Sequence, residues 1–201
     1  LYVAQTRHNM GRCHQGLGNH PQALDHYQQA LAIKKELDDQ EGICSVLNDL
    51  GNFYQQQQYY QKALKHYEKA IALAEQIGED YYQGLCRRKA GKIYLRQNQT
   101  PKGLDYLQSS LNTGEQIHNL ELIKNACWQL FQHHQGHEAP EKALQYYMDY
   151  ATTKDSINQR KNNLRIIETQ MNYELAKKQD EISKIEKQVK ELSLEKKLKE
   201  S

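Results

Sequence analysis

The sequence has few of the apolar and aromatic residues that fill a single large core. Its 201 residues include three prolines, two phenylalanines and one tryptophan, and 38% are hydrophobic, with a mean hydropathy of −0.96. Helices and repeats tolerate such a composition, because each unit buries only one stripe of its surface. Scarce proline beside abundant Gln, Lys, Leu and Ala favours helix over strand.

A dense charge of one sign is also missing. The net charge is +2, residues 1–160 carry equal numbers of basic and acidic side chains, and the small basic excess falls in 161–201. Nucleic-acid binding is therefore not expected, since it depends on a basic surface that contacts phosphates. No apolar run approaches the length of a membrane span. The chain stops inside a helical pattern, so we interpret it as a fragment whose membrane contact, if any, lies in segments outside it.

Patterns for catalysis or cofactor binding are absent as well. The sequence has no glycine-rich phosphate loop, paired-carboxylate motif or triad pattern, so neither catalysis nor a cofactor is expected in these residues. His133 and His137 are four residues apart, but Gly136 is expected to end their helix, and no metal site is predicted. The four cysteines form no CxxC pair and are interpreted as small buried residues. They are Cys13, Cys44, Cys86 and Cys127.

What the chain does contain is a repeat of 40 residues that aligns without gaps. The repeats are predicted at 1–40, 41–80, 81–120 and 121–160. Two columns hold mainly small residues, and three hold mainly larger apolar ones. The small columns are Gly11, Gly51, Gly91 and Phe131, and Ala23, Ala63, Gly103 and Ala143. The larger columns are Leu24, Leu64, Leu104 and Leu144; Tyr27, Tyr67, Leu107 and Tyr147; and Leu37, Ile77, Ile117 and Ile157.

Each repeat is predicted to form two helices, over about its first 16 positions and from about position 20 to about position 37. Pro21, Pro101 and Pro140 fall at the start of the second helix, where a missing N–H does no harm. Thr100 is a candidate N-cap. The small columns mark places where two helices come close, and the tyrosine and leucine columns fill the space between them. The regularly spaced glycines and tyrosines are therefore interpreted as packing residues.

These columns resemble the tetratricopeptide repeat. The resemblance covers residues 1–160 and implies an all-α fold, a right-handed superhelix of four helix hairpins. It also implies a groove, lined by the first helix of each repeat, that binds a protein or peptide. The candidate groove residues are Gln5, His8, Arg12, Gln15, Asn48, Asn52, Gln55, Arg88, Lys92, Trp128 and Gln132.

The side chains of this groove suit a peptide ligand, although a solvated polar face remains the alternative. Arg, Asn and Gln hold peptide backbone or carboxylates, and Trp128 would anchor an apolar side chain. Chaperone-binding members of the family clamp a terminal carboxylate. The residues at the clamp positions here are His8, Arg12, Asp49, Leu85 and Lys89. Asp49 is expected to repel that ligand.

Residues 161–201 follow as a predicted coiled-coil helix, because apolar residues alternate there by four and three. The apolar seam is Leu164, Met171, Leu175, Ile182, Ile185, Val189 and Leu192, and its polar positions are Glu168, Lys178 and Lys196. A lone helix cannot bury such a seam. A homodimer is the simplest partner, with a partner protein or the chain's own groove as alternatives.

The repeats and this tail together resemble the sensor regions of Bacteroidetes-type signalling proteins, which carry a histidine kinase or a helix-turn-helix output domain. The matching tail residues are Tyr173, Glu174, Lys177, Lys178 and Glu181. The resemblance implies a non-catalytic binding and dimerisation region of a two-component histidine kinase. The alternative is a freestanding scaffold or adaptor. The compartment stays open, because unpaired cysteines favour the cytoplasm and the resemblance favours the periplasm.

Overall fold

A computed structural model describes residues 2–136 and 139–199, with side chains placed through residue 184. These residues form eight helices and no strand, so the predicted all-α fold of helix hairpins is confirmed. The helices are α1 Tyr2–Gly16, α2 His20–Glu36, α3 Gln40–Gln56, α4 Tyr60–Ile77, α5 Asp80–Arg96, α6 Thr100–Gln116, α7 Leu120–Gln135 and α8 Pro140–Lys199. The chain divides into two compact units, Leu1–Lys154 and Asp155–Ser201, and α8 contributes residues to both.

The turns of the first unit recur every 20 residues, which is half the sequence repeat. Each of the six turns from α1 to α7 contains one residue with left-handed backbone, with φ between 51° and 76°. The six residues are Gly18, Asp38, Gln58, Gly78, Asn98 and His118. Turns within hairpins and turns between hairpins therefore share one geometry. The sequence pattern does not reveal this shared geometry, because different residue types occupy the six positions. Five of the six are Gly, Asp, Asn or His, which adopt the left-handed conformation most readily.

Side-chain caps begin two of the helices that open a repeat. The Asp39 carboxylate accepts a hydrogen bond from the Gly42 N–H at 2.9 Å, and the Asn119 side chain accepts one from the Leu122 N–H at 2.9 Å. The prediction that Thr100 caps α6 is wrong. Asn98 makes the turn, Gln99 occupies the cap position without a side-chain hydrogen bond, and Thr100 is already helical.

The core of each of the first two hairpins is built around a tyrosine that faces a glycine. Tyr27 and Tyr67 are fully buried. A Cβ atom added at Gly11 would lie 2.6 Å from the Tyr27 ring, and one added at Gly51 would lie closer still to the Tyr67 ring. The glycines thus leave the space that the rings occupy, as the packing interpretation predicts. Each tyrosine also contacts the next repeat, since Tyr27 clusters with Val46.

The fourth repeat departs from this arrangement where Phe131 replaces the glycine. The Phe131 and Tyr147 ring centroids are 5.3 Å apart, and 46% of the Tyr147 surface is exposed. Two large rings cannot share the space that a glycine and one ring fill in repeats one and two. The substitution accordingly moves the fourth tyrosine out of the core.

The cysteine prediction is correct for three residues and wrong for one. Cys44, Cys86 and Cys127 are buried, whereas Cys13 is exposed. Phe53 and Ile93 occupy the same repeat column as Cys13, and each packs against residues of the preceding hairpin. In the described structure no helix precedes α1, so nothing covers that column in the first repeat.

The second unit consists of the later part of α8, whose predicted seam is exposed within a single chain. Between 49% and 61% of the surface of each of four seam residues is accessible, namely Leu164, Met171, Leu175 and Ile182. The side chains of Ile185, Val189 and Leu192, also predicted for the seam, lie outside the described residues. In the described part of the chain, no helix combines the length and apolar content of a membrane span.

The glycine–tyrosine packing predicts a large penalty for Gly51→Ala. The added methyl group would overlap the buried Tyr67 ring, so we expect the free energy of unfolding to fall by about 1–3 kcal/mol. Gly16→Ala is the matched control, because an added Cβ there meets no atom within 4 Å. It should leave stability unchanged or raise it by up to about 1 kcal/mol. Urea unfolding measures both, and equal stabilities would contradict this packing account.

Candidate functional site

A cavity of about 760 Å³ lies between the first helices of repeats one, two and three. Its volume is within the range of ordinary ligand sites. Six candidate groove residues line it: Arg12 and Gln15 from α1, Asn52 and Gln55 from α3, and Arg88 and Lys92 from α5. This whole cavity, which other residues also line, is called the groove cavity below. The 40-residue period brings the six candidate residues together, because it places equivalent columns of successive repeats side by side.

The buried tyrosines hold the amides of the groove cavity in position. The Tyr67 hydroxyl donates toward Asn52 Oδ1 at 2.9 Å and toward Gln55 Oε1 at 2.8 Å. The Tyr27 hydroxyl donates to Gln15 Oε1 at 2.6 Å. Burial raises the pKa of both phenols, so they stay protonated and remain donors. With their oxygens turned to the tyrosines, the amides direct their NH₂ groups elsewhere.

Asp49, on the floor of the groove cavity, is engaged by neighbouring donors. Its Oδ2 accepts from His8 Nε2 at 2.9 Å and lies 3.7 Å from Arg12 Nε. Its Oδ1 accepts from Asn48 Nδ2 at 3.0 Å and from Asn52 Nδ2 at 3.1 Å. Burial alone would raise the pKa of Asp49, but the hydrogen bond from His8 and the nearby basic charges outweigh it and lower the pKa. The carboxylate is therefore ionised and already paired.

Two adjacent cations on α5 are partly buried beside this floor. Lys89 donates to Asn48 Oδ1 at 2.6 Å, and its ammonium lies 5.9 Å from the centre of the Tyr67 ring. Burial lowers the pKa of Lys89 to about 8. Burial also lowers the pKa of Arg88. When its amide is oriented so that both ends are satisfied, Gln129 accepts from Arg88 Nη1 at 2.8 Å, which supplies a hydrogen bond but no opposite charge.

The other candidate groove residues lie elsewhere. His8 and Asn48 are buried beneath the groove cavity, and Gln5 lines a separate surface pocket and bonds to Asn9. Gln132 lines a neighbouring pocket that also includes Lys92. Trp128 is 36% exposed, and it packs against the Phe131 and Tyr150 rings at centroid distances of 5.3 and 4.9 Å.

Several residues that line the groove cavity are not among the candidate groove residues. Arg96 lines it although it is one column beyond those taken for the groove, and Gln56 and Gln58 line it from the end of α3 and the turn after it. A signal for Arg96 was present in the sequence, because it lies four residues after Lys92 and eight after Arg88. Residues at that spacing share one face of a helix.

No other chemical centre emerges from the described residues. They contain no group of three His, Cys, Asp or Glu side chains arranged to hold a metal ion. His134 stacks on Tyr146, with ring centroids 5.6 Å apart, and His137 lies outside the described residues. Burial raises the pKa of the Cys44 thiol to about 11 and of the Cys86 and Cys127 thiols to about 12. These three thiols are thus protonated and unreactive near neutral pH.

A family model described as "Tetratricopeptide repeat" matches residues 1–36 and 42–116. No curated protein matches the chain.

Several solved structures share the fold. A structure of aspartyl phosphate phosphatase F from Bacillus subtilis matches with a TM-score of 0.73 at 18% sequence identity. The match covers 77% of this chain and 41% of the phosphatase chain. BtubC (BKLC) from P. vanneervenii has a TM-score of 0.66 at 16% identity, with coverages of 73% and 60%. A signal transduction ATPase with numerous domains (STAND) from Pyrococcus horikoshii, with a tetratricopeptide repeat sensor, has a TM-score of 0.65 at 20% identity, with coverages of 80% and 25%. The matched regions thus span at most 60% of these proteins.

The lowered pKa of Lys89 predicts a pH-dependent stability. Between about pH 8 and about pH 10 the unfolded chain keeps a proton on this lysine that the folded chain has released, so the free energy of unfolding rises with pH. Lys89→Met removes this contribution. From pH 7 to about pH 9.5, wild type should gain about 2 kcal/mol in the free energy of unfolding relative to the variant, measured by urea unfolding. A constant difference between the two proteins would show that Lys89 titrates normally.

Proposed function

Because the chain belongs to the tetratricopeptide repeat family, we propose that residues 1–160 bind a segment of a partner protein in the groove cavity. Residues 161–201 form a dimerising helix. Together they are the input and dimerisation region of a signalling protein, for which a two-component histidine kinase is our specific candidate. The proposed domains are thus the four repeats, 1–40, 41–80, 81–120 and 121–160, and the tail.

The family itself supports the broad part of this function. Tetratricopeptide repeat domains bind protein partners and are generally non-catalytic scaffolds. The STAND protein from Pyrococcus horikoshii is a signal transduction ATPase whose tetratricopeptide repeats are described as a sensor. At 20% identity the likeness concerns the fold alone, but it provides one case in which this fold serves as a signalling input.

The observation that carries the binding proposal is the composition of the groove cavity. Arg12, Arg88 and Lys92 supply cations, while Gln15, Asn52 and Gln55 supply amides that the tyrosine hydroxyls orient. Oriented amides pair with the carbonyl groups of a peptide backbone, and cations pair with carboxylates. A solvated surface needs no such fixed geometry.

The dimerisation proposal depends on the exposed apolar residues of the tail. Met171 and Leu175 lie on one face of α8, and Ile167 lies beside them along a shallow surface groove. The sequence seam did not include Ile167, which widens the apolar stripe. A second copy aligned along this stripe would bury it and leave the charged residues in water.

A freestanding adaptor is the second candidate function, and the polar seam residues favour it. Glu168 and Lys178 interrupt the apolar stripe, and their side chains are exposed. A partner helix with complementary charges would satisfy both. In this case the tail binds another protein, and the isolated chain is a monomer.

The dimer proposal predicts that the purified chain is a dimer in light scattering at concentrations on the order of tens of micromolar. Leu175→Glu places a charge in the seam and should raise the dissociation constant by about a hundredfold. Tyr173→Glu is the matched control, because Tyr173 is also an exposed apolar residue of α8 and lies outside the seam. It should leave the dimer intact.

Two results would contradict the dimer proposal. A wild-type chain that remains a monomer would favour the adaptor. Equal losses in the Leu175 and Tyr173 variants would mean that association does not depend on the seam.

A further inference from the structure

The groove cavity has an unbalanced charge that identifies the chemistry of its ligand. Five basic side chains line it: Arg12, Arg88, Lys89, Lys92 and Arg96. Among the described lining residues Asp49 is the one carboxylate, and His8, Arg12 and two asparagines already engage it. From the sequence, Asp49 is predicted to repel a carboxylate ligand. That prediction treats Asp49 as an isolated charge and leaves out these four partners.

The four α5 cations that line the groove cavity form no ion pair within the described residues, although Lys89 is close enough to Asp49 for the two charges to attract. Within the described residues, no carboxylate lies at ion-pair distance from Arg88, Lys89, Lys92 or Arg96. The buried Nε of Arg88 has no hydrogen-bond partner there either. Like charges four residues apart destabilise a helix, and burial makes an unpaired cation more costly. An anion bound in the groove cavity would relieve both costs.

The geometry of these cations specifies the spacing of the anions. Arg88, Lys92 and Arg96, called the basic ridge below, follow each other at four-residue intervals along α5. Successive members are therefore about 6 Å apart along the helix axis. In an extended peptide, alternate side chains point the same way and are about 6.6 Å apart. Carboxylates at every second position of an extended segment thus match the basic ridge.

From this match, we infer that the groove cavity binds an extended acidic segment of a partner protein, with Asp or Glu at alternate positions facing the basic ridge. Gln15 and Asn52 take part through their NH₂ groups. Each of these groups has one hydrogen engaged, to Gln56 and Asp49 respectively, and a second hydrogen free for a peptide carbonyl. The inference depends on the proposed binding function and names the partner's chemistry.

A protein segment fits these observations better than a nucleic acid does. The basic ridge spans about 12 Å along α5, which is enough for a few anions. Nucleic-acid binding proteins instead engage about 6–10 phosphates across an extended basic surface. Residues 1–160 are neutral in sum, so the groove cavity is a local excess of positive charge and not part of a basic domain.

The test measures fluorescence polarisation of a short fluorescein-labelled peptide in which glutamate alternates with serine, added to the full chain. Lys92→Gln combined with Arg96→Gln should weaken binding about tenfold. Both residues are exposed, so the fold is expected to survive. The matched control is Lys65→Gln combined with Lys69→Gln, an exposed pair four residues apart on α4. It should change binding by less than about twofold.

Peptide controls separate charge spacing from charge alone. A peptide of the same composition with its glutamates grouped together should bind more weakly, and one with glutamine in place of glutamate should not bind. Added salt should weaken the alternating peptide, because it screens exposed charges.

Three outcomes would overturn the inference. They are equal affinity for the glutamine peptide, equal loss in the two double variants, and tighter binding of a single-stranded RNA oligonucleotide that displaces the peptide. Light scattering of the same samples measures dimerisation independently. If the peptide does not bind but the chain is a dimer, the acidic ligand is rejected and the dimerisation proposal stands. A monomer that still binds the alternating peptide rejects the dimerisation proposal and retains the acidic ligand.

Discussion

The contact between a buried tyrosine ring and a glycine determines how the hairpin core packs and where the polar groups of the groove cavity lie. In repeats one and two, the glycine on the first helix lets the ring of Tyr27 or Tyr67 enter the hairpin. The same ring carries its hydroxyl through to the amides of the first helices. Burying a tyrosine is costly unless its hydroxyl finds a partner. In each of these repeats, one tyrosine side chain therefore both fills the core and positions the polar groups of the groove cavity.

The groove cavity combines this neutral scaffold with a local excess of positive charge. Asp49 balances part of it through His8 and Arg12, while Lys89 and Arg88 are held partly buried on α5. A protein that only needed to fold would gain stability by placing neutral residues at these positions. Their presence is explained if an anionic ligand completes the charge balance, because functional sites often reduce the stability of a protein.

Much of the fold was predictable because the same residue pattern occurs in four repeats, so a weak helix signal in one repeat is supported by the others. The glycine and tyrosine columns, read at a 40-residue period, identify hairpins even where a single helix is weakly amphipathic. Cys13 and Thr100 were misjudged for local reasons, since a column is buried only where a preceding helix covers it, and one turn residue shifts a cap. For the candidate site, the repeat columns group Arg12, Asn52 and Arg88, and these three residues line one cavity. The columns could not show that Asp49 is already paired, because that depends on contacts 41 residues apart in sequence.

The most direct test of the account is to locate the bound segment by photo-crosslinking. The alternating glutamate–serine peptide, carrying a benzophenone group at one end, would be irradiated with the full chain, and the adducts would be mapped by mass spectrometry. The account predicts adducts on α1, α3 and α5, which line the groove cavity, and their loss when unlabelled peptide competes. Adducts concentrated on α2, α4 and α6 would contradict it, because the first helices would then not form the binding face.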